Sequence, residues 1–194
     1  MTTVLESLTK DQPIYRTPKG PMDLGEGPIY RADDSTLHWF DILSSPCELY
    51  ILPVDPMTGS ATGEARVIPL ADSITVAAFR KNNPGSYIAG YSQGICFLDE
   101  KTGDIEVIRE LIPSEDRDKI RCNDGAVDAA GRFWLAEIDL KSIADGPQNA
   151  FQASETPKGR LWRYDPDGSL HLMLSDGLIC GNGVCWSPDN QTSG

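Results

Sequence analysis

Phe97-Leu-Asp-Glu-Lys-Thr-Gly-Asp-Ile-Glu-Val-Ile108 is the stretch on which the fold turns. An apolar run ends in an Asp, the chain bends through Asp-x-x-Thr-Gly, and a second run begins. Asp early and Gly late is the chemistry of a tight hairpin loop, the Asp accepting from turn amides and the Gly taking the left-handed conformation. Tyr50 to Leu70 repeats the design around Asp55-Pro-Met-Thr-Gly59. The two units lie about 45 residues apart, the period of one four-stranded blade of a β-propeller.

Outward from this pair the text stays all-β. Candidate strands are Leu37–Ile42, Glu48–Leu52, Ala65–Leu70, Ser86–Gly90, Gly94–Leu98, Ile105–Ile108, Gly131–Ala136, Gly159–Tyr164 and Leu170–Leu174. They are short, rich in Ile, Leu, Phe, Trp and Tyr, and no long segment keeps a helical 3.6 period. Asp128-Ala-Ala-Gly131, Asp165-Pro-Asp-Gly168 and Ser187-Pro-Asp-Asn190 supply further turns. Ile112 to Lys119 is charged and fits a loop or one helical turn, and Lys141 to Lys158 a long surface loop. Residues 1–18 read as an N-terminal extension and residues 19–194 as one partial propeller. At about 45 residues per blade, 194 residues supply only about four blades.

Seventeen Lys and Arg against 29 Asp and Glu leave a net charge of −12, which argues against nucleic acid as a partner. No apolar run approaches the roughly 18 residues of a membrane helix, and the first residues offer no signal peptide, so a soluble, cytoplasmic protein without a membrane partner is expected. The five cysteines are scattered and never form C-x-x-C, so reduced thiols packed as small hydrophobes are expected. With two histidines, a His-rich zinc site has little material.

Three polar motifs could carry chemistry. Leu24-Gly-Glu-Gly-Pro28 holds Glu26 between two glycines, which is either a solvated surface turn or a carboxylate aimed into a cleft. Arg121-Cys-Asn-Asp-Gly-Ala-Val-Asp128 contains an Asn-Asp-Gly that alone is simply a turn. Gly177-Leu-Ile-Cys-Gly-Asn-Gly-Val-Cys-Trp-Ser-Pro-Asp189 sets Asn182 between glycines as Glu26 is set. Two Gly-polar-Gly units suggest oxygen ligands brought to one point, as a hard divalent cation requires. Neither glycine cluster has the form of a nucleotide-binding loop.

Taken together, in this order and spacing, these motifs with Gly131-Arg-Phe-Trp134, Gly159-Arg-Leu-Trp-Arg-Tyr-Asp-Pro-Asp-Gly168 and Asn182-Gly-x-x-Trp-Ser-Pro-Asp-Asn190 resemble the family of senescence marker protein (regucalcin), gluconolactonase and luciferin-regenerating enzyme. The resemblance implies a six-bladed β-propeller with one divalent metal (calcium, zinc, manganese or magnesium) at its axial opening. It implies hydrolysis of a small-molecule lactone or related ester. By the same resemblance Glu26 and Asn182 are metal ligands, and Arg121 and Asn123 contact substrate. The family's further ligand, an Asp that also serves as base, belongs to a Tyr-x-x-Asp-Ser type motif one strand beyond the Trp-Ser-Pro-Asp-Asn turn. That strand is expected beyond Gly194, so the chain reads as an N-terminal portion or truncated product, and no catalytic residue is assigned within it. Ala136-Glu-Ile138 departs from the family's Gly-Thr-Met, and no acidic substrate contact is carried into Lys141 to Lys158.

Arg121 has a plainer reading as the partner of Asp116 or Asp118. A non-enzymatic calcium-binding or scaffold propeller stands as the alternative to the lactonase, and an esterase acting on phosphoesters or other strained esters as a third. A four-blade portion of a six-blade ring is also expected to expose strand edges, to associate, and to show little metal-dependent turnover on its own.

Overall fold

The computed structural model describes residues 15–143 and 157–190. Strands β1 (Gly25–Arg31), β2 (Thr36–Asp41), β3 (Cys47–Pro53) and β4 (Arg66–Leu70) form the first sheet. The second contains β5 (Ile74–Phe79), β6 (Ser86–Tyr91), β7 (Gly94–Asp99) and β8 (Ile105–Glu110). The third contains β9 (Ile120–Val127), β10 (Phe133–Asp139), β11 (Gly159–Tyr164) and β12 (Leu170–Leu178). Each sheet is an antiparallel meander in chain order, and β5 packs beside both β1 and β9, so the first strand of each sheet is innermost. This is the blade arrangement of a β-propeller. After β12 the chain turns inward beside the third sheet and begins the next position of the ring. Gly194, beyond which the family's further Asp is expected, lies outside the described residues, as does most of the N-terminal extension.

The repeat is reproduced atom for atom at the outer hairpins. Asp55 Oδ1 accepts from the amides of Met57 (3.0 Å) and Thr58 (2.8 Å), and Asp99 Oδ1 from those of Lys101 and Thr102, both 2.8 Å. The nine expected strands correspond to β2–β4, β6–β8 and β10–β12. The three unforeseen ones, β1, β5 and β9, are the innermost of their sheets, and β1 and β9 hold the glycines and polar motifs that read as turns. Ile112 to Lys119 contains a short 3₁₀ turn at Ser114–Asp116. The segment read as a loop from Lys141 opens with one helical turn, Leu140–Ile143, and its residues 144–156 lie outside the described ones.

Side chains alternate between the two faces of each strand, so neighbouring sheets bury facing layers. Phe40, Leu49, Ile74, Tyr87, Cys96 and Leu98 fill the layer between the first two sheets. Ile95, Ile112, Ile120, Cys122, Phe133 and Leu135 fill the one between the second and third. Each large side chain so buried contributes about 1.5–3 kcal/mol. Cys47, Cys96 and Cys122 are buried free thiols as expected, but Cys180 and Cys185 are exposed. Both lie on the segment after β12, where no described sheet covers them.

Polar groups also tie the sheets together. His38 on β2 is fully buried between Thr36 Oγ1 (2.7 Å) and the Tyr87 hydroxyl of β6 (2.8 Å), edge-on to Phe79. Nearby, Arg31 pairs with Glu100 of the second sheet and with Asp34, and Arg66 reaches Glu100 at 3.3 Å. Glu137 on β10 has no exposed surface. Its carboxylate accepts from Arg160 Nε (2.7 Å), Arg160 Nη2 (2.9 Å), the Arg160 amide (3.0 Å) and Trp162 Nε1 (2.8 Å). The departure at residue 137 thus carries its own compensation, a forked ion pair with indole support.

Two outcomes test these contacts. Burial, and then the positive charge of Arg31, push His38 down from 6.5 to about 4, although Glu100 and Asp34 pull the other way. The folded protein therefore refuses a proton that the unfolded chain takes up, and stability present above pH 6.5 is lost as pH falls toward 4. The loss amounts to at most about 1.4 kcal/mol per pH unit. Urea titrations across that window should show this slope in the native chain and a shallower one in His38→Gln. Glu137→Ala should cost about 3 kcal/mol or more by leaving Arg160 unpaired, whereas Glu137→Met with Arg160→Met should cost far less. Chemical denaturation of both variants measures the difference.

Candidate functional site

Each innermost strand carries one extra residue near its start. In β1, Gly27 and Pro28 together face Trp39 of β2. In β5, Thr75 is inserted where Ile74 and Val76 face the consecutive residues Tyr91 and Gly90. In β9, Asn123 and Asp124 together face Ala136 of β10. Such bulges bend a strand and re-aim the side chains around them. Gly27 is held at φ +60°, and a Cβ added to it would lie 3.4 Å from the Thr75 carbonyl oxygen. The positive φ, and not want of space, is what calls for glycine here.

The segment after β12 docks on the β9 bulge. Cys180 bridges Ile138, the Asp139 amide donates to the Ile179 carbonyl (2.9 Å), and the Gly181 amide donates to the Glu137 carbonyl (3.0 Å). A Cβ on Gly181 would sit 2.3 Å from that of Ala136, so only glycine fits there. Asn123 Nδ2 donates to the Gly181 carbonyl oxygen (2.8 Å), and Asp124 Oδ2 accepts from the Gly183 amide (2.7 Å). Asp124 Oδ1 accepts from the Gly125 amide (2.7 Å). Farther on, Trp186 packs edge-on against Trp134 with ring centroids 6.0 Å apart.

The four residues singled out in the sequence are therefore distributed as follows. Glu26 is half-buried on β1 beside the first bulge; Arg121 and Asn123 are half-buried on β9; Asn182 is exposed between Gly181 and Gly183. Asn123 and the Asn182 segment are in direct contact. Burial raises the pKa of the nearby Cys180 thiol, the Arg121 charge opposes the rise, and those of Asp124 and Glu26 add to it. Among the described residues neither Glu26 nor Arg121 makes an ion pair. The plainer alternative for Arg121 is not taken up, since Asp116 pairs with Lys119 at 2.9 Å. In the sequence Asp124 reads only as part of a turn; its place beside Asn123 in a Gly-flanked run is the available signal.

Glu26, Asn123 and Asn182 offer side-chain oxygens, the donor type a hard divalent cation prefers, whereas both Asp124 oxygens are engaged by backbone amides. Among the described residues no three of His, Cys, Asp and Glu come together as a ligand group. The donor chemistry fits such an ion, with fewer carboxylates than a complete site would use. A cleft of about 460 Å³ between the second and third sheets, lined by residues including Arg80, Lys81, Phe97, Val127 and Tyr164, lies at the opposite end of the strands and contains none of these donors.

Three four-stranded antiparallel blades packed side by side define part of a β-propeller, with polar oxygen donors on β1, β9 and the segment after β12 as a candidate ion and ligand site. Residues 24–193 match the family model described as the SMP-30/Gluconolactonase/LRE-like region, and the chain belongs to that family. It is 28% identical over 169 residues to 6-deoxy-6-sulfogluconolactonase of Pseudomonas putida, covering 87% of this chain and 50% of that protein. To the regucalcin of Gallus gallus it is 27% identical over 171 residues, again 87% of this chain and 50% of the relative. The chain thus spans about half the length of these relatives. A calcium-binding protein, regucalcin, from Agrobacterium tumefaciens has the same fold, with a TM-score of 0.67 at 24% identity over 90% of this chain and 50% of that one. A luciferin-regenerating enzyme matches with a TM-score of 0.68 at 20% identity, over 89% and 52%.

The bulge geometry predicts the effect of Gly27→Ala. A Cβ at a positive φ costs about 1–2 kcal/mol, and the neighbours at 3.4–3.6 Å are at ordinary contact distance. Chemical denaturation should show a loss of that order, and a similar one in Gly59→Ala, a turn glycine also at positive φ with no neighbour within 4 Å.

Proposed function

We propose that this chain forms part of a metal-dependent hydrolase of the gluconolactonase type, which opens a sugar lactone or related ester. The observation that carries the reading is the docking of the Asn182 segment on the β9 bulge, at the strand end where Glu26 also lies. Family membership and the lactone-acting names among the relatives support it. Glu26 and Asn182 would hold the cation, one of calcium, zinc, manganese or magnesium. When bound, a divalent ion supplies Lewis-acid polarisation of the ester carbonyl.

The remaining work falls to the chain. Arg121, which has no ion-pair partner among the described residues, offers a planar fork of donors to a carboxylate or hydroxyl of the substrate. Asn123 spends Nδ2 on Gly181 and keeps its side-chain oxygen for substrate or ion. Asp124 is engaged by two backbone amides, so it is poorly placed to take a proton from water. We assign the base to no described residue. We place the protein in the cytoplasm, with a small lactone as its ligand and neither nucleic acid nor membrane as a partner.

A calcium-binding propeller without turnover is the second reading, favoured because no described residue is placed to serve as the base. A lactone panel assayed with and without EDTA separates the two. Turnover that disappears with EDTA, returns with a divalent ion and is lost in Glu26→Gln is the outcome expected of a hydrolase. Its rate in residues 1–194 alone should be low. Ion binding with no turnover of any lactone or ester would favour the second reading.

A further inference from the structure

Asn182 is exposed, yet both peptide groups that flank it are held. The Gly181 carbonyl belongs to the peptide before Asn182 and accepts from Asn123 Nδ2; the Gly183 amide belongs to the peptide after it and donates to Asp124 Oδ2. Peptide groups are planar, so fixing the plane on each side of a residue fixes its φ and ψ and hence the direction of its Cα–Cβ bond. The grip comes from two consecutive side chains, Asn123 and Asp124, the pair that together faces Ala136 in the β9 bulge. Without the bulge these neighbours would point to opposite faces of the sheet and could not serve the same three-residue segment. Asp124 is itself steadied by the Gly125 amide on its other oxygen, and the Gly181 end is anchored by the Glu137 carbonyl and by its contact with Ala136.

We propose that Asp124 is a positioning residue: it clamps the Gly183 amide while Asn123 clamps the Gly181 carbonyl, and the two aim the Asn182 side chain into the site. This rests on the reading that Asn182 and Glu26 hold a divalent ion. A carboxylate is well suited to the task, since an ionised acceptor binds a backbone amide roughly twice as strongly as a neutral one. Glycines on both sides of Asn182 would leave the segment mobile without the clamp.

The test uses residues 1–194 with Mn²⁺ alone as the probe, and measures ion affinity by calorimetry, Gly183 amide exchange by ¹⁵N NMR, and melting temperature. The wild type should bind Mn²⁺ and Glu26→Gln should not. Asp124→Ala should weaken binding on the order of tenfold to a hundredfold, as loss of a ligand-orienting group does, with faster Gly183 exchange and a nearly unchanged melting temperature. Asp124→Asn keeps one acceptor oxygen and should fall closer to the wild type. Asp124→Ala that binds Mn²⁺ as tightly as the wild type would overturn the positioning role alone. Equal losses of affinity in Asp124→Ala and Asp124→Asn, each with a matching fall in melting temperature, would overturn it in favour of a purely structural contact. A wild type that does not bind Mn²⁺ while Gly183 remains protected would overturn the metal reading, and the aiming role with it.

Discussion

A four-stranded sheet made of alternating side chains has two faces, and in this chain both faces of the middle sheet are apolar. Its β5 to β8 strands must be sandwiched, with Leu98 and Tyr87 turned toward the first sheet and Ile95 toward the third. That requirement sets the architecture. Sheets stacked face to face with the native twist fan around an axis, and the first strand of each, β1, β5 and β9, is drawn to the inside. Each of these three strands also carries an extra residue.

The β9 bulge shapes the candidate site. A regular strand would send Asn123 and Asp124 to opposite faces, whereas the bulge turns both toward the segment after β12. The neighbouring strand β10 supplies the floor: Ala136 and the Glu137 carbonyl receive Gly181, while the Glu137 side chain is locked by Arg160 and Trp162. A buried forked ion pair is a costly way to gain stability. Its position directly beneath the Gly181 contact means that a shift of β10 would be felt at Asn182. Rigid support of this kind is what a ligand constellation needs when the residues that form it lie on exposed backbone.

The outer strands were legible because their information is local. Short apolar runs such as Glu48–Leu52 and Ile105–Ile108, joined to their neighbours by Asp-x-x-Thr-Gly turns, report strands without reference to the rest of the molecule. The innermost strands were not legible. β5 is apolar but for Thr75 and lacks alternation, β1 opens with two Gly and a Pro, and β9 contains an Asn-Asp-Gly run, residues that by local preference form turns. Here tertiary packing overrides the preference, because an inner strand needs small residues and bulges more than it needs β-branched ones.

The all-β class, the blade period and the hairpin ends are written in the spacing of neighbouring residues, and the family motifs nominate Glu26, Arg121, Asn123 and Asn182 as site candidates. Only the tertiary structure decided that Asn-Asp-Gly is a bulged inner strand and not a turn, and that Asp124 grips Gly183 across 59 positions of sequence. It also decided that Glu137 is held by Arg160 in the core. These contacts join residues far apart in the chain, and their geometry follows from how the sheets stack, which no local pattern encodes.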